Sequence, residues 1–317
     1  MKCLHPIKVK VRDKNTRANP YSKYQSNYRL LPCGKCVACR MRRAMQWGFR
    51  LEKEWNQSTN NCFITLTYAP EFLPSDGFLC KVHYLKFIKC LAMDIRRFCD
   101  SHGVVYRFRY LGVGEYGYEK GRPHYHLLLF NIPIGYGDFS TVRAMRSFER
   151  FLEERFWYNR GFVNVRELNA ERIMYVSKYV VKAEDFEGSK VKPFMSCSKR
   201  PPLGICYLTP KIIKYHHDAN DFLVRNESGY WLPLPRIYWP YIWNHTELLI
   251  HSAEMEQLEV EQMQVIVFED LEKVTDPKDL RCPYNGLTKS QVKDIEKRFV
   301  RKQFEKHMRR KNFRGIS

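Results

Sequence analysis

The stretch GVGEYGYEKGRPHYHLLLF, residues 112–130, decides the fold. It holds the end of one strand-like run, a turn rich in Gly and Pro, and a second strand-like run, with no room for a helix between them. The first run begins further back, in VVYRFRYLGVGEYG; the second is HYHLLLFN, 124–131. A turn over 117–123 folds the two runs antiparallel. Upstream, NCFITLTY alternates apolar and hydroxyl residues and reads as a strand over 62–68. KVHYLKFIKCLAMDIRRFCDSHG carries Leu85, Ile88, Leu91, Ala92, Ile95 and Phe98 at helical spacing and stops at Gly103. Downstream, 139–158 is helical by the spacing of Val142, Met145, Phe148, Phe151, Leu152 and Phe156, with Asp138 as candidate cap. GFVNVREL then reads as a strand and AERIMYVSKYVVKAEDF as a helix.

The order over 62–186 is therefore β-α-β-β-α-β-α. The β-β step at 112–130 breaks the alternation of a doubly wound parallel sheet. It fits an α+β fold of split β-α-β type, RRM- or ferredoxin-like, with a central antiparallel sheet and helices packed on one face. The other face is then expected to be free for a ligand. Three regions follow: a basic, Cys-rich N-terminal extension over 1–60, the α+β domain over 61–190, and a C-terminal extension over 191–317. The last is rich in Pro and aromatics over 196–245, carboxylate-rich within 247–276, and ends in a basic helical stretch, 289–314.

The chain has 317 residues, with 54 Lys and Arg against 34 Asp and Glu, a formal charge of +20. Such a surplus points to a polyanion. The cations are interleaved with Tyr, Phe and Trp, which suits single-stranded nucleic acid, where cations follow phosphates and rings stack on bases. A run of about 18 apolar residues is lacking, as is a secretory leader, so a cytosolic chain without membrane partner is expected. In a reducing compartment its 11 cysteines argue against a disulfide framework. Four of them stand apart: Cys33, Cys36 and Cys39 in PCGKCVACR (32–40), and Cys3. Two consecutive C-x-x-C steps let thiolates share one ion, and Cys3 could close a tetrahedral site, with structural Zn²⁺ the first choice. Arg40 follows Cys39 where the ferredoxin iron–sulfur run has Pro. Unbound thiols are the plainer alternative.

The chemistry concentrates at two places. His124 and His126, at i and i+2 on a strand, point to one face and can reach one ion. Glu115, near the end of the preceding strand, comes beside them when the hairpin closes. Two imidazoles and a carboxylate, with no thiolate nearby, suit Mg²⁺ or Mn²⁺ better than Zn²⁺ for phosphate chemistry. The plainer alternative is a salt bridge. On the last helix, Tyr175 and Tyr179 are i and i+4, with Lys178 and Lys182 read on the same side and Ile173, Val176, Val180 and Val181 on the opposite one. A tyrosine hydroxyl can attack a phosphodiester, a divalent ion can neutralise the phosphate, and lysine can steady the developing charge.

These motifs resemble those of HUH-type rolling-circle replication initiators, closely those of the Microviridae, the gokushovirus-like replication-associated proteins. FITLTY (63–68) is similar to the family's first motif, GRPHYHLLLF (121–130) to its metal-binding motif, and YVSKYVVK (175–182) to its two-tyrosine motif. Glu115 sits where related initiators carry an acidic ligand. PCGKCVACR, behind an early Cys and a His-Pro, resembles the gokushovirus N-terminus. The resemblance implies an HUH endonuclease core that nicks one site in phage DNA, forms a 5′-phosphotyrosine link and rejoins the strand. It implies single-stranded or supercoiled origin DNA as substrate, host helicase and DNA polymerase as partners, and the bacterial host cytoplasm as the place of action. It assigns the cysteines no role. Two other readings compete: a non-catalytic single-stranded nucleic-acid-binding module of RRM-like fold, and a plasmid or transposon HUH nuclease.

Overall fold

The structure is a computed structural model that describes residues 3, 7–10, 28–117, 121–182, 191–226, 229 and 231–254. In chain order the elements are β1 (Ile7–Lys10), β2 (Tyr28–Leu31), α1 (Val37–Gln57), β3 (Cys62–Tyr68), α2 (Lys81–His102), β4 (Arg109–Tyr116) and β5 (Pro123–Phe130). They continue with α3 (Val142–Phe156), β6 (Gly161–Glu167), α4 (Ala170–Lys182), β7 (Phe194–Cys197), α5 (Pro210–Asp218), β8 (Leu223–Arg225), β9 (Trp231–Pro233) and α6 (Trp239–Ile242). The described residues form two compact units. One is Arg43–Ile212; the other combines parts of Met1–Arg42 and Ile213–Ser317.

The first unit is built on a five-stranded sheet of order β6-β3-β5-β4-β7, every neighbouring pair antiparallel. Without the edge strand β7, the succession β3-α2-β4-β5-α3-β6 in the order β6-β3-β5-β4 is the split β-α-β arrangement. The α+β class and antiparallel sheet read from the sequence are thus observed.

Each layer follows from its sequence. Along α2, Tyr84, Phe87, Ile88, Leu91, Ile95 and Cys99 are buried, a stripe at three- and four-residue steps. The helix ends where Gly103 turns left-handed at φ 63° and its N–H bonds back to Cys99 O. This stripe and the buried residues of α3 (Phe148, Leu152, Phe156) cover one sheet face, made of Ile64, Leu66, Tyr125, Leu127, Leu129, Val163 and Val165. The start of α3 is capped by Thr141, whose hydroxyl accepts from Ala144 N at 3.1 Å, and not by Asp138. Asp138 instead accepts from Ser140 N at 2.8 Å, two residues on, in a local turn that precedes the helix.

The expectation of a free second face is corrected. Phe63, Leu111, Val113, Leu128 and Phe130 point to that face, and Leu51 of α1, Ile173 and Val176 of α4, and Leu203 cover them. The reason is in the run Leu127-Leu128-Leu129-Phe130: every one of its residues is buried, so both faces there need cover.

The sheet continues to β7, beyond residue 190, and the second half of α1 belongs to the same unit. In the other unit, β1 pairs with β2 and β8 with β9, and Phe222 stacks on Trp243 with ring centres 3.9 Å apart. The carboxylate-rich stretch beyond 254 and the basic stretch over 289–314 lie outside the described residues. No helix among the described residues is long and apolar enough to cross a membrane.

Candidate active site

The β4–β5 hairpin sets the site. Glu115 is directly opposite His124, and Val113 opposite His126, so Glu115, His124 and His126 share one sheet face. Near its turn, Gly117 N–H donates to Arg122 O at 2.8 Å. Gly117 has to be glycine for a steric reason: a Cβ there would lie 2.8 Å from His124 Nε2.

His126 is the hub. Its Nε2 is 2.8 Å from Glu115 Oε1, and its Nδ1 is 3.1 Å from Thr65 Oγ1 on β3, its cross-strand partner. Phe63 stacks under the ring at 5.5 Å. Both His126 and Glu115 are buried, at 8% and 7% exposure, so their contact stands in a low-dielectric setting. Burial, and then the neighbouring His126 and Arg122, push the His124 imidazole below its usual value; Glu115 pulls the other way. A half-buried imidazole in that setting favours the neutral form, the form that binds metal.

Helix α4 carries the tyrosines over this cluster. Ile173 and Val176 are buried against the sheet, and Ser177 returns its hydroxyl to Ile173 O at 2.8 Å. The Tyr175 hydroxyl donates to Glu115 Oε1 at 3.4 Å, and the Tyr179 hydroxyl donates to Tyr175 Oη at 2.9 Å. Their rings are 4.6 Å apart, and both lie against His126, at 5.4 and 6.1 Å. Burial, then the Tyr179 hydrogen bond and the Glu115 charge, push the Tyr175 phenol well above its ordinary value.

The tyrosines do not point away from the apolar side, as the helical spacing had suggested. Tyr179 packs against the same cluster as Ile173 and Val176. At 100° per residue, Tyr179 is only about 60° round the helix from Val176, so it flanks the buried stripe rather than opposing it. Lys178 is exposed. Nothing is described of the Lys182 side chain.

Residues 61–184, from β3 through α4, match the family model for replication-associated proteins of the ORF2 type. The chain is 29% identical over 216 residues to replication-associated protein ORF2 of Spiroplasma virus 4, which covers 61% of this chain and 65% of that one. It is 27% identical over 265 residues to replication-associated protein VP4 of Bdellovibrio phage phiMH2K, covering 78% and 79% of the two chains. A third relative, replication-associated protein ORF4 of Chlamydia phage 1, is 33% identical over 161 residues, 48% of this chain and 38% of that one. The chain belongs to the phage replication-associated proteins. It spans just under two thirds of the length of the Spiroplasma virus 4 relative. No solved structure matches it.

The stretch matched to this replication family includes Glu115, His124, His126, Tyr175 and Tyr179. It also includes Thr65, to which the sequence reading gave no part. The available signal was a hydroxyl in the middle of a buried, otherwise apolar strand, two residues from Phe63 on the same face.

The stretch excludes the four cysteines, which the fold nevertheless gathers. Cys3, Cys33, Cys36 and Cys39 have all their Sγ atoms within 4.8 Å of one another. Among the described residues no other group of three or more His, Cys, Asp or Glu side chains meets that distance. Glu115, His124 and His126 therefore do not: Glu115 and His126 touch, while His124 keeps its Nε2 against Gly117. Cys33 is partly buried, which raises its thiol, but the N–H groups of Cys36 and Lys35 and the neighbouring thiols bring it down to about 7. Burial holds Cys39 well above the usual thiol value.

Proposed function

We propose that this replication-associated protein is the initiator endonuclease of a single-stranded DNA phage. It nicks one strand of the phage DNA at the origin, becomes joined to the new 5′ end through a tyrosine, and rejoins the strand after each round. One observation carries this reading: the Tyr175 hydroxyl is hydrogen-bonded to the carboxylate that is itself bonded to His126. A nucleophile and a candidate divalent-ion site are thereby adjacent.

The residues fit Mg²⁺ or Mn²⁺. Adjacent ligands of an octahedral ion about 2.1 Å away stand about 3.0 Å apart (2.1 × √2), and Glu115 Oε1 and His126 Nε2 are 2.8 Å apart. Thr65 provides the outer hydrogen bond that metal-bound imidazoles have on their second nitrogen. His124 adds a third donor from the same face. When bound there, the ion would neutralise charge on the scissile phosphate.

The protein's own groups do the rest. The phenols are held in line, with the Tyr179 proton directed at Tyr175 Oη and the Tyr175 proton at Glu115 Oε1. In the nick, a tyrosine oxygen forms a bond to phosphorus, the bond from phosphorus to the 3′ oxygen breaks, and the 3′ hydroxyl leaves with a proton. The phosphodiester count is unchanged, so the reverse step reseals the strand. The second tyrosine allows a second transfer without release of the first end. Lys178 and Lys182 are proposed to steady the developing charge, and host helicase and polymerase to act on the opened strand in the bacterial cytoplasm.

The RRM-like binding module is disfavoured by a specific observation. Such modules read bases on an open sheet face, whereas here helices cover both faces and the aromatics of the two central strands, Phe63 and Tyr125, are buried. The test is a covalent-adduct assay. Protein, labelled single-stranded DNA containing the phage origin, and Mn²⁺ are expected to give a slow band on a denaturing gel. EDTA abolishes it, and so does changing both Tyr175 and Tyr179 to Phe. An undiminished adduct in the double variant would overturn the assignment.

A further inference from the structure

We propose that Cys3, Cys33, Cys36 and Cys39 hold one structural Zn²⁺ that closes the open end of the β1–β2 pair and ties it to the start of α1. The site is separate from the nicking chemistry and lies wholly in the unit that contains the N-terminal residues.

Distance supports a single ion. With Zn–S at about 2.3 Å, the sulfurs of a tetrahedral site stand about 3.8 Å apart (2.3 × 1.63). Cys3 Sγ and Cys36 Sγ are 3.9 Å apart, and all four sulfurs fall within 4.8 Å of one another. None of the four is in a disulfide, so no covalent bond draws them together. A cluster of several irons would need a much wider cage than one ion does. Four thiolates also fill a tetrahedral shell, leaving no open position for water or substrate, which is the mark of a structural site.

The surroundings favour thiolates. Cys33 N–H donates to Cys3 Sγ at 3.2 Å and Cys36 N–H to Cys33 Sγ at 3.3 Å. Gly34, left-handed at φ 74°, makes the tight turn that aims these N–H groups inward. Cys36 immediately precedes α1 and Cys39 lies in its first turn, where the helix dipole favours negative charge. Arg42 Nη2 is 3.8 Å from Cys39 Sγ. Cys36 and Cys39 are 6% and 5% exposed, so the ligands are shielded.

The topology shows what the ion does. The register of β1 and β2 begins with Ile7 opposite Leu31. Cys3 lies four residues before Ile7, and Cys33 two residues after Leu31. Both chain ends of the two-stranded sheet thus run into the cysteine cage. A two-stranded sheet is marginal in water by itself; an ion bound only in the folded state supplies the missing cross-link.

The test is metal analysis of the full chain, independent of any nicking assay. Protein made in zinc-supplemented medium is expected to carry about one zinc per chain, unchanged in Cys80→Ser and lost when Cys36 and Cys39 are both changed to Ser. Because that variant could fail to fold, the unaltered chain is also stripped and refilled with Co²⁺. Intense sulfur-to-cobalt absorption with tetrahedral d–d bands is the expected result. A chain that carries no zinc and develops no such bands would overturn the proposal. So would zinc retained in full by the Cys36/Cys39 double variant, or a red, iron-loaded chain.

Discussion

Thr65→Val isolates what holds His126 in place. The two side chains have nearly the same shape and both suit a strand, so β3 should keep its register. What is lost is the bond between Thr65 Oγ1 and His126 Nδ1, 3.1 Å long. Because His126 is buried, the orphaned nitrogen costs about 1–3 kcal/mol of stability. For a unit of this size that lowers Tm by roughly 2–4 °C per kcal/mol, leaving the protein folded at room temperature. The functional loss should be larger than the structural one. Outer hydrogen bonds to metal-binding imidazoles are typically worth about 10–100-fold in affinity or activity, or about 1.4–2.7 kcal/mol at 1.36 kcal/mol per decade. The assay is the initial rate of Mn²⁺-dependent adduct formation as a function of Mn²⁺ concentration. Thr65→Val is expected to need about 10–100 times more Mn²⁺ for half-maximal rate, and Thr65→Ser to restore most of it. If Thr65→Val is folded and shows the wild-type Mn²⁺ midpoint and rate, His126 is not a metal ligand oriented by Thr65, and the site has been read wrongly.

Tyr175→Phe and Tyr179→Phe should each retain measurable adduct, because the remaining hydroxyl stays within one helical turn of Glu115; only the double variant should show none on the denaturing gel. Gly161→Ala should destabilise the fold by more than about 3 kcal/mol, read as a lower urea midpoint, because φ is 147° and a Cβ would run into the backbone of Thr67, Tyr68 and Ala69. His83, bonded to Tyr68 Oη at 2.9 Å, is held below the usual 6.5 by burial and then by Arg160 and Lys86. Below 6.5 the unfolded chain therefore takes up this proton before the folded one, so the stability is full above that value and declines as pH falls toward the lowered one. His83→Gln should flatten that decline in urea midpoints compared between about pH 5.5 and about pH 7.5, by at most about 1.36 kcal/mol per pH unit.

The topology was legible because each element carried its own period. The α2 stripe, the Gly103 stop and the helix-free step from β4 to β5 are local signals, and they suffice for the strand order. What was not legible depends on the register between elements. The four residues of β7 show no period, yet they complete the sheet edge. Thr65 acquires a part only because β3 pairs with β5 so as to set it beside His126. Thr141 and Asp138 are both good caps by residue type, and only the helix start separates them. The cysteines were legible as a set from their spacing, but that Cys3 and Cys33 flank the open end of one strand pair is a fact of pairing.

The same dependence on register explains Tyr125. In a strand, a slip of one residue exchanges the faces of every side chain. In β5 the run Leu127 to Phe130 is apolar on both faces, so it would tolerate that exchange and cannot specify which face the histidines take. Tyr125 can. It is fully buried on the α2 and α3 side, where its hydroxyl accepts from Cys80 N at 2.8 Å, donates to Cys80 O at 3.1 Å, and lies 3.1 Å from Tyr68 Oη. Moving His124 or His126 into that position would leave the Cys80 backbone unpaired and bury an imidazole among Tyr68, Tyr84 and Trp157. The middle residue of His-Tyr-His is thus the one that turns both imidazoles toward Glu115 and the tyrosines of α4.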